Sequence, residues 1–170
     1  MKVFLIGFMG SGKTTTGKEL AQALGYQFID LDTFIEEKYN QTIKTLFEYH
    51  GEDYFRKIEN DALLEVTEMK GNMVIASGGG TSCFYNSVEF MNSVGITIYL
   101  RVDVAELLQR LIATKRDRPL LWGKTKEELN NYIIRVLDER KKYYEMATIT
   151  IEFEHLNIDR LASTIKSLSV

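Results

Sequence analysis

The chain has 170 residues, 45% of them hydrophobic and 26% charged, with a formal net charge of −3 at pH 7. That length suits one domain able to bury roughly 70% of the surface its unfolded chain would expose, and the acidic balance argues against a general nucleic-acid binder, which shows a basic excess. The single cysteine, Cys83, excludes an internal disulfide and fits a reducing cytoplasm, while no apolar run approaches the roughly 20 residues needed to cross a bilayer.

Strand-like and helix-like segments alternate along the chain, which implies an α/β fold with a mostly parallel sheet. Lys2-Val3-Phe4-Leu5-Ile6 reads as a first strand, and Gly7 and Lys13 interrupt the apolar run too early for a secretion signal. From Lys13 to Leu24 the spacing is helical, with Gly17, Leu20, Ala21 and Leu24 on one face. Gln27–Asp30 reads as a second strand, followed by a mainly helical region over residues 33–69. Val74-Ile75-Ala76 is a third strand running into Ser77-Gly78-Gly79-Gly80. Asn86 with Glu89 has the spacing of a capping box opening a helix. Residues 97–100 form a fourth strand, and Asp103 with Glu106 caps the helix after it. Lys115-Arg116-Asp117-Arg118 leads into Pro119, the only proline, so this stretch is expected to be a basic loop. Thr125 with Glu128 caps a long helix reaching about Tyr144, residues 149–151 form a fifth strand, and residues 157–168 a closing helix.

Between the first strand and the first helix stands Gly7-Phe8-Met9-Gly10-Ser11-Gly12-Lys13-Thr14, a G-x-x-x-x-G-K-[ST] phosphate-binding loop in the strand–loop–helix setting the motif requires. Its glycines let successive N–H groups point inward, and the helix start adds partial positive charge. Gly10, Ser11, Gly12, Lys13, Thr14 and Thr15 are the candidate nucleotide-binding residues. Lys13 would reach the outer phosphates and the Thr14 hydroxyl would ligate Mg²⁺. The chain is expected to bind a nucleoside triphosphate.

In many P-loop NTPases an aspartate at the end of a later strand helps to hold Mg²⁺. Here the third strand ends in Ser77 and three glycines, and the guanine-reading N-K-x-D pattern is absent. The remaining acids are Asp30 and Asp32, at the carboxyl end of the second strand, the sheet edge where ligands bind. One could hold a water of the Mg²⁺ shell while the other accepts a proton from an attacking hydroxyl; alternatively both are turn and N-cap residues. Gly78, Gly79 and Gly80 fit either a backbone that approaches a ligand closely or a loose turn. Arg56 and Glu59 stand one helical turn apart, as a surface pair or as a carboxylate holding a bidentate anchor for a substrate carboxylate. Phe47, Tyr54 and Phe55 either line a substrate ring or pack a core, and His50, His155, Cys83 and Trp122 read as surface or packing residues.

In this order and spacing, GFMGSGKTTTGKELAQALG, Asp30-Leu31-Asp32, the segment from Gly51 through Phe55-Arg56 to Glu59, Ser77-Gly78-Gly79-Gly80 and Arg118-Pro119-Leu120-Leu121 resemble the shikimate kinase family nearly end to end. The resemblance implies a P-loop kinase fold of the nucleoside-monophosphate-kinase kind: a five-stranded parallel sheet sandwiched by helices. A single kinase domain over residues 1–170 would carry a helical substrate-binding insert at about 32–69 and a lid at about 114–124. It further implies Mg²⁺ at Thr14 and, through water, at Asp30, with shikimate held by Asp32, Arg56, Gly78, Gly79 and Gly80. Arg118 would lie on the lid and reach both phosphate and substrate. Arg140 corresponds to a further substrate arginine in an R-x-P-x-Y context, where this chain keeps Tyr144 but has Lys142 in place of the proline. Arg110 would face the adenine, with Lys115 or Arg116 as alternatives.

The implied reaction is transfer of the γ-phosphoryl of ATP to the 3-hydroxyl of shikimate, on the route to chorismate, with Lys13, Asp32 and Arg118 as catalytic residues. The alternatives are another small-molecule kinase, for gluconate or a nucleoside monophosphate, and a non-catalytic nucleotide-binding module. Paired aspartates with Arg56 and the triple glycine favour a polyol carboxylate, and intact Lys13, Thr14, Asp32 and Arg118 favour turnover. A cytoplasmic monomer without nucleic-acid or membrane partners is expected.

Overall fold

Every residue of β1 (Lys2–Ile6) is buried, as a strand covered by helices on both faces of a parallel sheet must be. The computed structural model describes residues 1–113 and 123–168; the basic loop with Lys115, Arg116, Arg118, Pro119 and Trp122 lies outside them. β1 is the middle of a five-stranded sheet of order β2-β3-β1-β4-β5, completed by β2 (Gln27–Asp30), β3 (Met73–Ala76), β4 (Gly95–Arg101) and β5 (Ile149–Glu152). All four pairings are parallel, which sets the carboxyl ends of β1, β2 and β3 side by side.

Side chains of β1 alternate between two cores, as the period of a strand dictates. Val3 and Leu5 meet α1 (Lys13–Leu24) and α7 (Ile158–Leu168) through Leu20, Ala21, Leu24, Leu161 and Ile165. Phe4 and Ile6 face the opposite core, built from α3 (Ile43–Glu68) and α4 (Ser87–Val94) through Ile58, Leu63, Val66, Val88 and Met91. A third cluster joins Phe8 to α5 (Val104–Ala113) and α6 (Lys126–Tyr144) through Leu107, Leu111, Leu129 and Ile133.

The helical region after β2 is not one continuous helix. α2 (Leu31–Tyr39) starts directly after β2, because Asp30 Oδ1 accepts the N–H groups of Asp32 and Thr33 as an N-cap. It stops at Asn40 in a left-handed conformation, and α3 begins after Thr42, whose hydroxyl accepts the Thr45 N–H. Within α3 the backbone breaks at Gly51, where φ is 80°. The second half of the helix, after that break, carries Arg56 and Glu59.

The Asn86/Glu89 capping box expected from the sequence does not form. Asn86 has φ of 54° and no side-chain cap bond, and the Phe84 carbonyl instead accepts the N–H and hydroxyl of Ser87. The Thr125/Glu128 box is present in full, and Asp103 caps α5 by accepting the Glu106 N–H.

Candidate active site

The phosphate loop curls because Gly7, Gly10 and Gly12 have φ values of 143°, 80° and 91°, a region that side chains rarely enter. A Cβ at Gly7 would also stand 2.9 Å from the Leu100 carbonyl oxygen. The Lys13 ammonium donates to the carbonyls of Gly7 (2.8 Å) and Phe8 (2.9 Å), so it lies within the curve of the loop. No side chain caps the start of α1, which leaves the first-turn N–H groups facing the loop. The buried Ser11 Oγ has no hydrogen-bond partner among the described residues. A cradle of backbone donors, one ammonium and an unpaired hydroxyl fits a polyphosphate.

Asp30 divides its two oxygens. Oδ1 caps α2, and Oδ2 accepts the Thr14 hydroxyl at 2.6 Å. Two hard oxygen donors at the mouth of the loop could hold Mg²⁺, which takes one or two protein groups and completes its shell with water and substrate phosphate. Among the described residues no three His, Cys, Asp or Glu gather to hold a metal unaided. Asp32, two residues on, is half-buried, and its pKa is pushed up to about 6 by burial first and then by the negative charges of Glu59 and Asp30, with Lys13 opposing. At neutral pH it is mostly ionised yet basic enough to take a proton.

The glycine turn after β3 lies against Asp32, Arg56, Glu59, Arg140 and the phosphate loop. A Cβ at Gly78 would come within 2.6 Å of Glu59 Oε1, 2.9 Å of Thr81 Oγ1 and 3.1 Å of Asp32 Oδ1. At Gly79 it would stand 3.1 Å from the Met9 nitrogen of the phosphate loop and 3.6 Å from Arg140 Nη1. At Gly80 it would collide with the Arg56 guanidinium at 2.7 Å. A side chain at Gly78 or Gly80 would displace those of Glu59, Thr81 or Arg56, and one at Gly79 would crowd the phosphate loop, so the turn is closely packed by its neighbours.

Arg56 and Glu59 form a buried pair, 9% and 2% exposed, with Nη1 donating to Glu59 Oε2 at 2.8 Å. This is not the exposed helix-surface pair considered from the sequence. Glu52 accepts from Nε (3.2 Å) and Nη2 (3.1 Å) on another edge. Of the five guanidinium N–H donors, one on each terminal nitrogen remains. Thr81 donates to the other oxygen of Glu59 at 2.6 Å, so the carboxylate is held in orientation at both oxygens.

From α6, Arg140 Nη1 (2.9 Å) and the Tyr144 hydroxyl (2.5 Å) both donate to the Gly79 carbonyl. Lys142 in place of the proline thus leaves Arg140 against the glycine turn. Tyr144 is fully buried and stacks on Tyr99, with ring centroids 5.0 Å apart. Arg110 donates to Glu106 (2.7 Å) and to the Gly10 carbonyl (3.2 Å), and lies 4.1 Å over the Phe153 ring beside the loop. Lys13, Asp30, Asp32, Arg56, the glycine turn, Arg110 and Arg140 all gather at one sheet edge. Arg118, with Lys115 and Arg116, falls outside the described residues.

Sequence reasoning singled out neither Thr81, Glu52, Phe84 nor Phe153. No motif marks them; Glu52 alone carried a signal, four residues before Arg56 on one helix face. Phe47 and Phe55 pack against each other at 4.3 Å beside Arg56. His50 and His155 are at the surface, and burial pushes the Cys83 thiol up, away from its nucleophilic form.

A family model described as shikimate kinase matches residues 9–168. The chain is 46% identical over 155 residues to the shikimate kinase of Parabacteroides distasonis, covering 91% of this chain and 89% of that protein. The crystal structure of shikimate kinase from Bacteroides thetaiotaomicron matches with a TM-score of 0.90 at 40% identity, over 99% of this chain and 98% of that one. The shikimate kinase from Acinetobacter baumannii in complex with shikimate matches with a TM-score of 0.83 at 38% identity, over 99% and 92% of the two chains. With a family model that spans the paired aspartates and the glycine turn, and with relatives of this identity and coverage, the chain belongs to the shikimate kinase family.

Proposed function

We propose that this protein transfers the γ-phosphoryl group of ATP to the 3-hydroxyl of shikimate, yielding ADP and shikimate 3-phosphate. Family membership supports the reaction. The observation that carries the residue assignment is the glycine turn, whose three members touch Asp32, the phosphate loop with Arg140, and Arg56 in turn. A donor cradle and an acceptor pocket thereby share one wall.

ATP phosphates lie on the N–H groups of Gly10, Ser11, Gly12, Lys13, Thr14 and Thr15, with the Lys13 ammonium on the outer phosphates. Thr14 and Asp30 would hold Mg²⁺, which would supply positive charge to the phosphates of bound ATP. The shikimate carboxylate is taken by the remaining donors of Arg56 and by Arg140, and the backbone of Gly78, Gly79 and Gly80 closes over the ring. Asp32 accepts the hydroxyl proton as that oxygen bonds to the γ-phosphorus in line and the bridging β–γ P–O bond breaks toward ADP. Catalysis is then mainly positioning and electrostatics. Arg118 adds positive charge from a lid at about 114–124, and Arg110 faces the adenine. Residues at about 32–69 act as the substrate-binding insert of a single domain spanning 1–170.

The protein works as a monomer on small molecules, without nucleic acid or membrane, in the cytoplasm where ATP is made and used. No described helix is long and apolar enough to cross a membrane. The test is ADP release with MgATP against shikimate, gluconate and nucleoside monophosphates, with the product phosphate located by ³¹P–¹H correlation. Turnover with shikimate alone and phosphate on O3 is expected. Turnover with gluconate at equal kcat/KM would overturn the reading.

A further inference from the structure

Arg56 is held by its edges and by its faces, and these holds have different origins. The edges are taken by Glu59 and Glu52 in the guanidinium plane. Arg56 Cζ lies over the ring of Phe84, 4.6 Å from its centroid and nearer than to the rings of Phe55 (5.4 Å) and Phe47 (5.7 Å). Those two belong to the packed interior of α3, Phe55 being buried in the core and Phe47 packed against it. Phe84 is 37% exposed and belongs to no core cluster. An exposed ring over a buried cation has another reason for its place than burial of apolar surface.

The backbone aims it there. The Cys83 N–H donates to the Gly80 carbonyl at 2.9 Å, tightening the turn that follows the glycines. The Phe84 carbonyl then accepts both the N–H and the hydroxyl of Ser87, at 2.9 and 2.7 Å. Between them Tyr85 and Asn86 both have φ of 54°, two successive non-glycine residues in the left-handed region, which costs free energy. The fold tolerates that strain directly after the residue that lies over Arg56.

We propose that Phe84 is a positioning residue for the acceptor, acting through Arg56: its ring covers a face of the guanidinium and so strengthens and orients the in-plane N–H donors that take the substrate carboxylate. Face and edge do not compete, since the ring quadrupole attracts the cation from above while the hydrogen bonds leave in the plane. The ring also removes water from the cation, which strengthens a charge-assisted bond at its edge. The inference rests on the reading that Arg56 binds the shikimate carboxylate.

The test compares shikimate with its carboxamide, in which the anion is replaced by a neutral amide of equal size. In the wild-type enzyme the carboxamide should have a far higher KM. Phe84→Ala should raise KM for shikimate by about 3- to 30-fold, the range expected for a cation–π contact at a partly desolvated site. It should leave KM for the carboxamide, kcat for shikimate and Kd for ATP within about twofold, and thermal stability near wild type, because Phe84 is outside the core. Phe84→Tyr should restore the low KM, and Phe84→Leu, apolar but without a π face, should not. The proposal falls if Phe84→Leu matches wild type, if Phe84→Ala leaves shikimate KM within twofold, or if both substrates weaken equally. Should the wild-type enzyme fail to distinguish shikimate from the carboxamide, the Arg56 anchor itself is wrong, and Phe84 loses its role with it.

Discussion

The two halves of the site are built in opposite ways. The phosphate loop is eight consecutive residues, shaped by three glycines with positive φ and by a lysine bonded to carbonyls five and six residues before it. The acceptor pocket has no such local origin. Asp32 comes from α2, Arg56 and Glu59 from α3, the glycine turn from the end of β3, and Arg140 and Tyr144 from α6, the last reaching a carbonyl 65 residues away. A backbone cradle recognises phosphate whatever surrounds it. A pocket of charges from three helices around a glycine turn would recognise one acid only while all four elements stay in place, because a charge that loses its partner is left uncompensated.

The sharpest way to break the donor half is Lys13→Ala, which removes the cation from the transferring phosphates. Turnover should fall by at least about 10³-fold, with shikimate binding by calorimetry unchanged. A variant keeping near wild-type kcat would show that the loop binds nucleotide without serving the chemistry.

Asp32→Asn attacks the point where the halves meet. Loss of general-base assistance should lower kcat by about 10²- to 10⁴-fold while ATP affinity is kept. Stability should move the other way. The pKa of Asp32 is raised above its ordinary 3.8 to about 6, so the fold disfavours its ionised form. That penalty is absent below about pH 4, grows between 4 and 6, and is complete above 6. Asp32→Asn should therefore be more stable than wild type at pH 7.5, by about 1–2 kcal/mol once solvent screening is allowed for, and equal to it at pH 4. Urea unfolding at both pH values measures this, and a variant less stable at pH 7.5 would return Asp32 to a helix-start role.

Arg56→Ala isolates the acceptor half. Removing one member of a buried, hydrogen-bonded charge pair costs about 2–5 kcal/mol, so KM for shikimate should rise by about 30- to 4,000-fold. ATP affinity measured without acceptor should stay within a few-fold. Equal losses for both ligands would mean that Arg56 supports the whole sheet edge rather than the acceptor.

The smallest expected effect tests whether α6 belongs to the acceptor half. Tyr144→Phe removes one of the two donors on the Gly79 carbonyl and keeps the ring stacked on Tyr99. A neutral hydrogen bond contributes about 0.5–1.5 kcal/mol, so KM for shikimate should rise by about 2- to 10-fold and Tm should fall by about 2–4 °C. An increase in KM for ATP instead would assign the Gly79 contact to the phosphate loop, whose Met9 nitrogen is its other neighbour.

Features with a short range along the chain were legible before the fold was known. The phosphate loop, the five strands, the Thr125/Glu128 box and the order of the site segments all depend on neighbours within a helical turn or a strand. Arg56 and Glu59 were legible as a pair, four positions apart at most from every partner on their own helix, but not as a buried pair. The Asn86/Glu89 box was misread because its failure is caused by Ser87 turning back on Phe84, a contact that no capping rule includes. Thr81 behind Glu59, the Arg140 and Tyr144 donors on Gly79, and the Phe84 ring over Arg56 became visible only in three dimensions. Each joins elements whose separation in sequence is arbitrary, and their meeting follows from how the helices pack around the sheet. Sequence by itself determined that this chain carries a phosphate-binding loop, because the backbone geometry set by Gly7, Gly10 and Gly12 is a local property. Tertiary structure alone decided how the proposed acceptor pocket is built, because close approach at Gly78, Gly79 and Gly80 is a property of distant surfaces brought into contact.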